Sequence, residues 1–154
     1  MNTPSYATAF DVTVAKAING WYWDFSLAGG FGIRAPRLTI GVVAGVRGSG
    51  ITGGEMETAW GVPVEAHATY AINDGLSAMA YGRPIWHFGE TKRKKGATLG
   101  SFADEFELGA HLVWAKVGPP GKNVFGWMAG LVHHEWFGTA YTGLRVGFGF
   151  ANQP

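Results

Sequence analysis

The chain has 154 residues, a formal net charge of +1 at pH 7 and no cysteine. These values exclude a disulfide framework, a thiol nucleophile, a thiolate metal site and an overall electrostatic attraction to nucleic acid. No run of about 18 apolar residues is present, which excludes a transmembrane helix. Glycines number 25, aromatic residues make up 14% and charged residues only 15%, a balance typical of an all-β protein with much apolar surface.

Alternation of apolar residues with small or polar residues predicts eight strands. The pattern is clearest from Trp21 to Arg34, where every second residue is bulky and apolar and the residues between are mostly small or polar. Successive side chains of a strand point to opposite faces, so this stretch has one apolar face and one small or polar face. In chain order the predicted strands are residues 6–16, 21–34, 37–47, 56–72, 76–88, 102–116, 124–135 and 140–150.

Glycine, proline and asparagine mark the predicted connections. Short turns are expected at 18–20, 35–36 and 73–75, and a longer turn is expected at 118–122. Longer connections are expected at the glycine-rich segment 48–55 and at 89–101. Pro84 interrupts the fifth strand and predicts a bulge or a local end of pairing, since proline cannot donate a hydrogen bond to its neighbour.

The composition of the two faces predicts which one is inside. The small or polar face is rich in glycine and alanine, which suits the narrow interior of an eight-stranded barrel. The other face carries large aromatic side chains, often near strand ends, as in membrane barrels. We therefore expect an all-β, eight-stranded, antiparallel up-and-down transmembrane β-barrel in a single domain, 1–154. The expected lipid-facing aromatic residues are Trp21, Trp23, Phe25, Trp60, Trp86, Trp114, Trp127, Phe148 and Phe150.

The inward face would then hold acidic, basic and histidine residues. Charges far from bulk water must be paired or hydrogen-bonded, so we expect a network that closes the lumen. A narrow conductive path or a proton relay through the histidines is the alternative. The wider inward set includes Arg34, Arg37, Arg47, Glu57, Glu105 and His134. The network residues singled out are Asp11, Asp24, Glu65, His67, Arg83, Glu107, His111 and Arg145.

Three further groups of residues are candidates for a phosphate-binding loop, a metal site and a catalytic site. Lys92, Arg93, Lys94 and Lys95 form a basic external loop, which is solvated or contacts lipopolysaccharide phosphates or an acidic partner. His133, His134 and Glu135, with His87, match no closed zinc pattern, and neighbours on a strand point to opposite faces, so no metal site is expected. Ser101 with His134 and Glu105 or Glu135 is the candidate set for a lipid deacylase.

Two stretches carry a resemblance to a known family. They are residues 66–76, AHATYAINDGL, in which a strand runs into a turn, and the final strand 140–150, which ends in aromatic-glycine-aromatic. The chain resembles the small eight-stranded outer-membrane barrels, such as the transmembrane domain of outer membrane protein A. It differs from them in continuing with Ala151-Asn152-Gln153-Pro154 after the terminal aromatic residue.

The resemblance implies a location in the outer membrane of a Gram-negative bacterium. The first ten residues lack a secretory signal, so an exported protein with this sequence would be a mature or an engineered form. The expected role is structural, anchoring or binding, with membrane lipid, lipopolysaccharide and other envelope proteins as partners, no nucleic acid and no cofactor. The alternatives are an outer-membrane lipid-modifying enzyme, lipid A deacylase-like, and a soluble lipocalin-like ligand carrier.

Overall fold

The computed structural model describes residues 3–17, 20–52, 57–88, 103, 105–115, 123–136 and 139–152. These residues form eight strands and no helix. The strands are β1 (Thr3–Ala17), β2 (Gly20–Arg34), β3 (Leu38–Thr52), β4 (Glu57–Asn73), β5 (Leu76–His87), β6 (Glu105–Ala115), β7 (Asn123–Trp136) and β8 (Thr139–Asn152). Accordingly, the described part of the chain contains no helix that could cross a bilayer.

All eight strands belong to one antiparallel sheet. Each strand pairs with the next in the chain, and β8 also pairs with β1, so the strand order is closed. The all-β, antiparallel up-and-down arrangement predicted from alternation is therefore confirmed. Because alternation has a period of two, the register fixes one set of side chains inside the sheet and the other set outside.

The third strand is longer than the sequence pattern predicts. The prediction of a loop beginning at Gly48 was wrong, because β3 continues through Gly48 and Gly50 to Thr52 and pairs with both β2 and β4 there. The ring of Phe25 lies where a side chain at Gly48 would project. Glycine at this position therefore makes room for a neighbouring aromatic ring, and it does not end the strand.

The interruption predicted at Pro84 is present. The ladder between β4 and β5 breaks between the pairs Pro63–Ile85 and Ala66–Gly82, and the register is the same on both sides. On its other side Pro84 remains in register with Phe106 of β6. The break is therefore a local loss of pairing, as expected from a residue that has no N–H to donate.

The sheet has two ends. We call the end that carries the connections 35–37 and 74–75 the turn end, and the opposite end the far end. At the turn end the Ala35 N–H donates to the Leu38 carbonyl oxygen over 2.8 Å. The Gly75 N–H donates to Asn73 Oδ1 over 2.9 Å, which is the turn predicted from Asn-Asp-Gly. Thr3 pairs with Arg34, so β1 also begins at the turn end.

The two faces of the sheet have opposite chemistry. Inward side chains such as Asp24, Arg47 and Glu107 are buried, whereas the outward face exposes a large apolar surface. The exposed apolar residues include Trp21, Leu27, Phe31, Ile33, Ile40, Val42, Trp60, Tyr70, Trp86, Leu108, Trp114, Trp127, Leu131, Leu144 and Val146. The core of the protein therefore lies inside one curved sheet and is rich in charged groups.

Candidate functional site

Six charged side chains meet inside the sheet, toward the far end. They come from five strands, because inward positions of β2, β3, β5, β6 and β8 reach the same level in this register. We call them the cross-lumen cluster: Asp24, Arg47, Arg83, Glu105, Glu107 and Arg145. Their side chains are almost completely withdrawn from solvent, with at most 5% of the surface exposed.

Glu107 is the carboxylate with the most partners in the cluster. Arg83 Nη2 donates to its Oε1 over 3.1 Å, and Arg47 Nη2 lies 3.4 Å from its Oε2. Arg145 Nη1 also donates to Oε1. The Tyr81 hydroxyl donates to the same oxygen over 2.6 Å. One carboxylate on β6 therefore holds guanidinium groups from three other strands.

Asp24 is the second anion of the cluster. Arg47 Nη2 donates to its Oδ2 over 3.0 Å, and Arg145 Nη2 donates to Oδ2 over 3.1 Å. Arg47 Nη2 also contacts the Tyr22 hydroxyl. Since Arg47 and Arg145 bond both Asp24 and Glu107, they link β2 to β6 through the interior.

Glu105 is held mainly by histidines. His87 Nε2 lies 2.8 Å from its Oε2, and His134 Nε2 contacts its Oε1. Arg47 Nη2 lies 3.4 Å from the same Oε1. These three side chains come from β5, β7 and β3, so Glu105 gathers groups from around the sheet.

The charges within the cluster balance. Three carboxylates face three guanidinium groups, and each carboxylate contacts at least one guanidinium within 3.4 Å. Buried ions without such partners would carry a large desolvation penalty, and removing one partner of a buried pair is strongly destabilising. The cluster therefore fills this level of the interior with a network of mutually dependent ion pairs.

A second, less buried group lies on the turn-end side of the cluster. Glu65 Oε2 lies 3.3 Å from Arg83 Nε, and Glu65 Oε1 lies 3.1 Å from His67 Nδ1. The ring of His111 lies 5.2 Å from the ring of Tyr81, centroid to centroid. His111 is buried, and its ring nitrogens have no hydrogen-bond partner among the described residues. The network thus extends toward the turn end from Arg83 to Glu65 and His67.

Most of the inward residues singled out in the sequence are brought together. Asp24, Arg83, Glu107 and Arg145 join the cross-lumen cluster, and His111 packs against the Tyr81 ring. Glu65 and His67 form the adjoining pair. Asp11 lies on β1 in register with Ser26, but its side chain is outside the described part of the structure. Arg34 and Arg37 are exposed at the turn end and lie outside the buried cluster.

Several members of the network do not stand out in the sequence pattern. Arg47, Glu105 and His134 were placed in the inward set but not at the level of the network, and Tyr22 and Tyr81 were not treated as hydrogen-bonding groups. Their inward position was predictable from alternation. Their shared level was not, because it depends on the register and length of strands such as β3.

The remaining sequence-based candidates lie partly outside the described residues. His133 Nδ1 lies 2.8 Å from Thr142 Oγ1, whereas His134 and His87 contact Glu105. In the part of the chain that the structure describes, no three histidine, aspartate or glutamate residues are arranged to hold a metal ion. The basic segment Lys92-Arg93-Lys94-Lys95 and Ser101 lie outside the described residues.

The outward aromatic residues form two groups along the strands. Phe25, near the far end, stacks on Trp23 with centroids 6.2 Å apart and meets Trp60 edge-on at 5.3 Å. Nearer the turn end, Trp127 lies 5.6 Å from Phe148 and 5.4 Å from Phe125. Trp21, Trp86 and Trp114 are also exposed on the outer face. Phe150 is part of β8, but its side chain is outside the described set.

Comparison with known proteins gives no match. No protein-family model, no curated protein and no solved structure matches this chain. A functional assignment therefore depends on the geometry of the chain itself.

Proposed function

We propose that the chain is a transmembrane β-barrel of a Gram-negative outer membrane, with a lumen closed by the cross-lumen cluster. The observation that carries the proposal is the inversion of the usual arrangement, in which charged residues lie inside and large apolar residues outside. Leu144 is 80% exposed and Phe31 is 68% exposed, whereas Arg47 and Glu105 are buried. A membrane barrel favours this inversion because hydrocarbon surrounds its outer face.

The spacing of the outward aromatic residues supports a bilayer as the surrounding medium. Trp60 and Tyr70 lie ten residues apart on β4 and are both exposed. At ~3.3 Å per residue this separation is ~33 Å along the strand. With a strand tilt of ~40°, it corresponds to ~25 Å along the barrel axis, the height of the apolar band in outer-membrane barrels. The residues between these two levels on other strands are mainly aliphatic, such as Val42, Leu108 and Leu144.

A soluble ligand carrier fits this surface poorly. Soluble monomers rarely expose contiguous apolar patches larger than a few hundred Å². Among the residues whose side chains the structure describes, exposed apolar ones occur on seven strands, β2 to β8. A soluble barrel would also enclose an apolar interior, whereas this interior contains ion pairs. The outer surface and the interior thus argue against a carrier for independent reasons.

The filled interior favours a structural, anchoring or binding role over conduction. Arg47 connects Asp24 with Glu107 through the interior, and His87 and His134 occupy the same region around Glu105. An eight-stranded lumen is normally filled by side chains, so free passage of solutes is not expected. The partners that fit the apolar outer face are membrane lipid and lipopolysaccharide, together with other proteins of the envelope.

A charge placed on the outer face provides the test. In lipid vesicles, Leu144→Arg is expected to lower the free energy of unfolding by about 2–4 kcal/mol, because arginine at mid-bilayer is costly. Leu38→Arg, at the turn end, is the matched control, with an expected cost of about 0–1 kcal/mol near the interface. Urea titration followed by tryptophan fluorescence and by heat-modifiable gel migration measures both.

A different outcome of these measurements would contradict the membrane assignment. If the protein stays monomeric in water without detergent, and Leu144→Arg leaves its stability there unchanged or improves it, the outer face is not a lipid-facing surface. The proposal would then be wrong, whatever the state of the interior.

A further inference from the structure

The seam between β1 and β8 has the shortest ladder in the sheet. Among the residues that the structure describes, its register partners run only from Ala9–Ala151 to Val12–Phe148. By contrast, β1 pairs with β2 along its whole length, and β8 pairs with β7 along its whole length. Backbone pairing therefore contributes less to closing the sheet at this seam than at any other place.

An ion pair lies where this ladder stops. Val12 is the last β1 residue in register with β8 on the far-end side, and the next residue, Thr13, is in register with Asp24 of β2. Arg145 of β8 reaches Asp24, with Nη2 at 3.1 Å from Oδ2 and 3.3 Å from Oδ1. The pair thus connects β8 to β2 across β1, just beyond the end of the backbone ladder.

Arg145 is also anchored on the side away from the seam. Its Nη1 donates to Glu107 Oε1 and, over 2.9 Å, to the Tyr81 hydroxyl oxygen. The side chains of Arg145 and Asp24 are 1% and 0% exposed. Loss of a charge-assisted pair that is buried to this extent is costly, because each buried charge then keeps fewer partners to offset its desolvation.

On the far-end side of the seam, part of β8 has few neighbouring atoms. Leu144 and Val146 of β8 are among the most exposed apolar residues of the protein. A Cβ atom at Gly143 would meet no heavy atom within 4 Å. On its inward face this stretch of β8 is open at Gly143, whereas Arg145 is held by the cross-lumen cluster.

We propose that the Asp24–Arg145 ion pair is a seam latch, which keeps the sheet closed on the far-end side of the β1–β8 ladder. When the latch is broken, β1 and β8 separate there, and the charged interior becomes accessible from the side of the barrel. The ion pairs between neighbouring strands, Arg47–Asp24 and Arg83–Glu107, do not have this role, because the ladders between those strands are long. The Arg145–Glu107 pair joins β8 to β6 and does not cross the seam. The latch does not depend on the membrane assignment, since it concerns only strand pairing.

Arg83 offers a matched control within the same cluster. Arg83 pairs with Glu107 on the neighbouring strand, and the ladder between β5 and β6 runs from Leu76–Trp114 to Ile85–Glu105. Arg83→Met and Arg145→Met each remove one buried guanidinium from Glu107. Only Arg145→Met removes the link across the seam.

The experiment is hydrogen exchange of the folded full chain in detergent micelles, followed by mass spectrometry. Arg145→Met is expected to accelerate exchange of amides 13–17 and 139–147 by at least about tenfold, since local opening becomes easier. Asp24→Asn is expected to accelerate the same segments. Arg83→Met is expected to leave these segments within about threefold of wild type. Equal acceleration at the seam in Arg83→Met and Arg145→Met would overturn the proposal.

A covalent closure of the seam covers the case in which Arg145→Met does not fold. The chain has no cysteine, so Val12→Cys with Phe148→Cys gives a single defined cross-link at the last register pair of the seam. With this cross-link in place, Arg145→Met is expected to fold and to exchange within about threefold of the cross-linked parent. If the cross-linked Arg145→Met chain still fails to fold, or still exchanges fast at the seam, the latch does not exist.

Discussion

The far-end half and the turn-end half of the interior are lined by different kinds of residue. The far-end half holds the cross-lumen cluster, in which Asp24, Glu105 and Glu107 are paired with three arginines. The turn-end half is lined largely by glycine and other small residues, for example Gly30 and Gly41. A Cβ atom at Gly30 would overlap the carbonyl oxygen of Val42 on β3, so the backbones themselves approach there.

This difference shows that the alternation of inward and outward residues predicts which side chains are inside, but not which interactions stabilise them there. In the far-end half, each charged group depends on partners from other strands, and the loss of one leaves the others uncompensated. In the turn-end half, close backbone approach needs the absence of a side chain more than the presence of a particular one. We therefore expect the far-end half to be sensitive to charge and the turn-end half to be sensitive to volume.

Removal of the Glu107 charge is expected to have the largest effect. Glu107→Gln leaves three buried guanidinium groups facing two carboxylates, and the free energy of unfolding should fall by about 3–5 kcal/mol. Urea unfolding in micelles measures the change. Glu65→Gln is the control, because Glu65 is only part-buried and pairs with Arg83 outside the centre of the cluster. Equal losses for the two variants would contradict the special dependence of the far-end half on charge.

Added volume at Gly109 is expected to have a smaller effect. A Cβ atom there would overlap the ring of Tyr81, whose hydroxyl donates to Glu107. Gly109→Ala should displace the ring, break this hydrogen bond and cost about 1–3 kcal/mol. Gly143→Ala is the matched control, because nothing lies within 4 Å of its Cβ position. The same unfolding assay measures both variants, and a Gly143→Ala loss as large as that of Gly109→Ala would argue against the explanation.

Cysteine labelling distinguishes the two halves with the least perturbation. Ser49, in the far-end half, is completely buried, whereas Ser77, near the turn end on the inward face, is half-buried. In the cysteine-free chain, Ser77→Cys is expected to react with a water-soluble thiol reagent at least about tenfold faster than Ser49→Cys, because only accessible thiols react readily. Similar labelling rates would mean that the two halves are equally open to water.

Alternation predicted much of this architecture from the sequence. The residues from Trp21 to Arg34 already separate into one bulky and one small or polar set, and the structure keeps them apart. Turns with strong backbone preferences, such as Asn73-Asp74-Gly75, were also predicted correctly. These features are local, since they depend on side-chain direction and on the φ angles that particular residues favour.

The features that were missed are non-local. Gly48 and Gly50 predicted a loop because glycine weakens an isolated strand, but at Gly48 the ring of Phe25 occupies the missing side-chain volume. Arg47 was placed inside correctly, yet its contact with Glu107 depends on the combined register of four strands, β3 to β6. A single strand's pattern carries no information on how far its neighbours are displaced along it.

The closed order of eight strands has a practical consequence for engineering. Thr3 is in register with Arg34 and Asn152 with Asn123, so both terminal strands reach the turn end. A linker joining them there, with new ends opened between Asn73 and Gly75, would give a circular permutant with every native strand neighbour retained. Fluorescent reporters fused to the outer ends of β1 and β8 would likewise be attached at the turn end of the sheet. Such paired fusions are suitable for energy-transfer measurements.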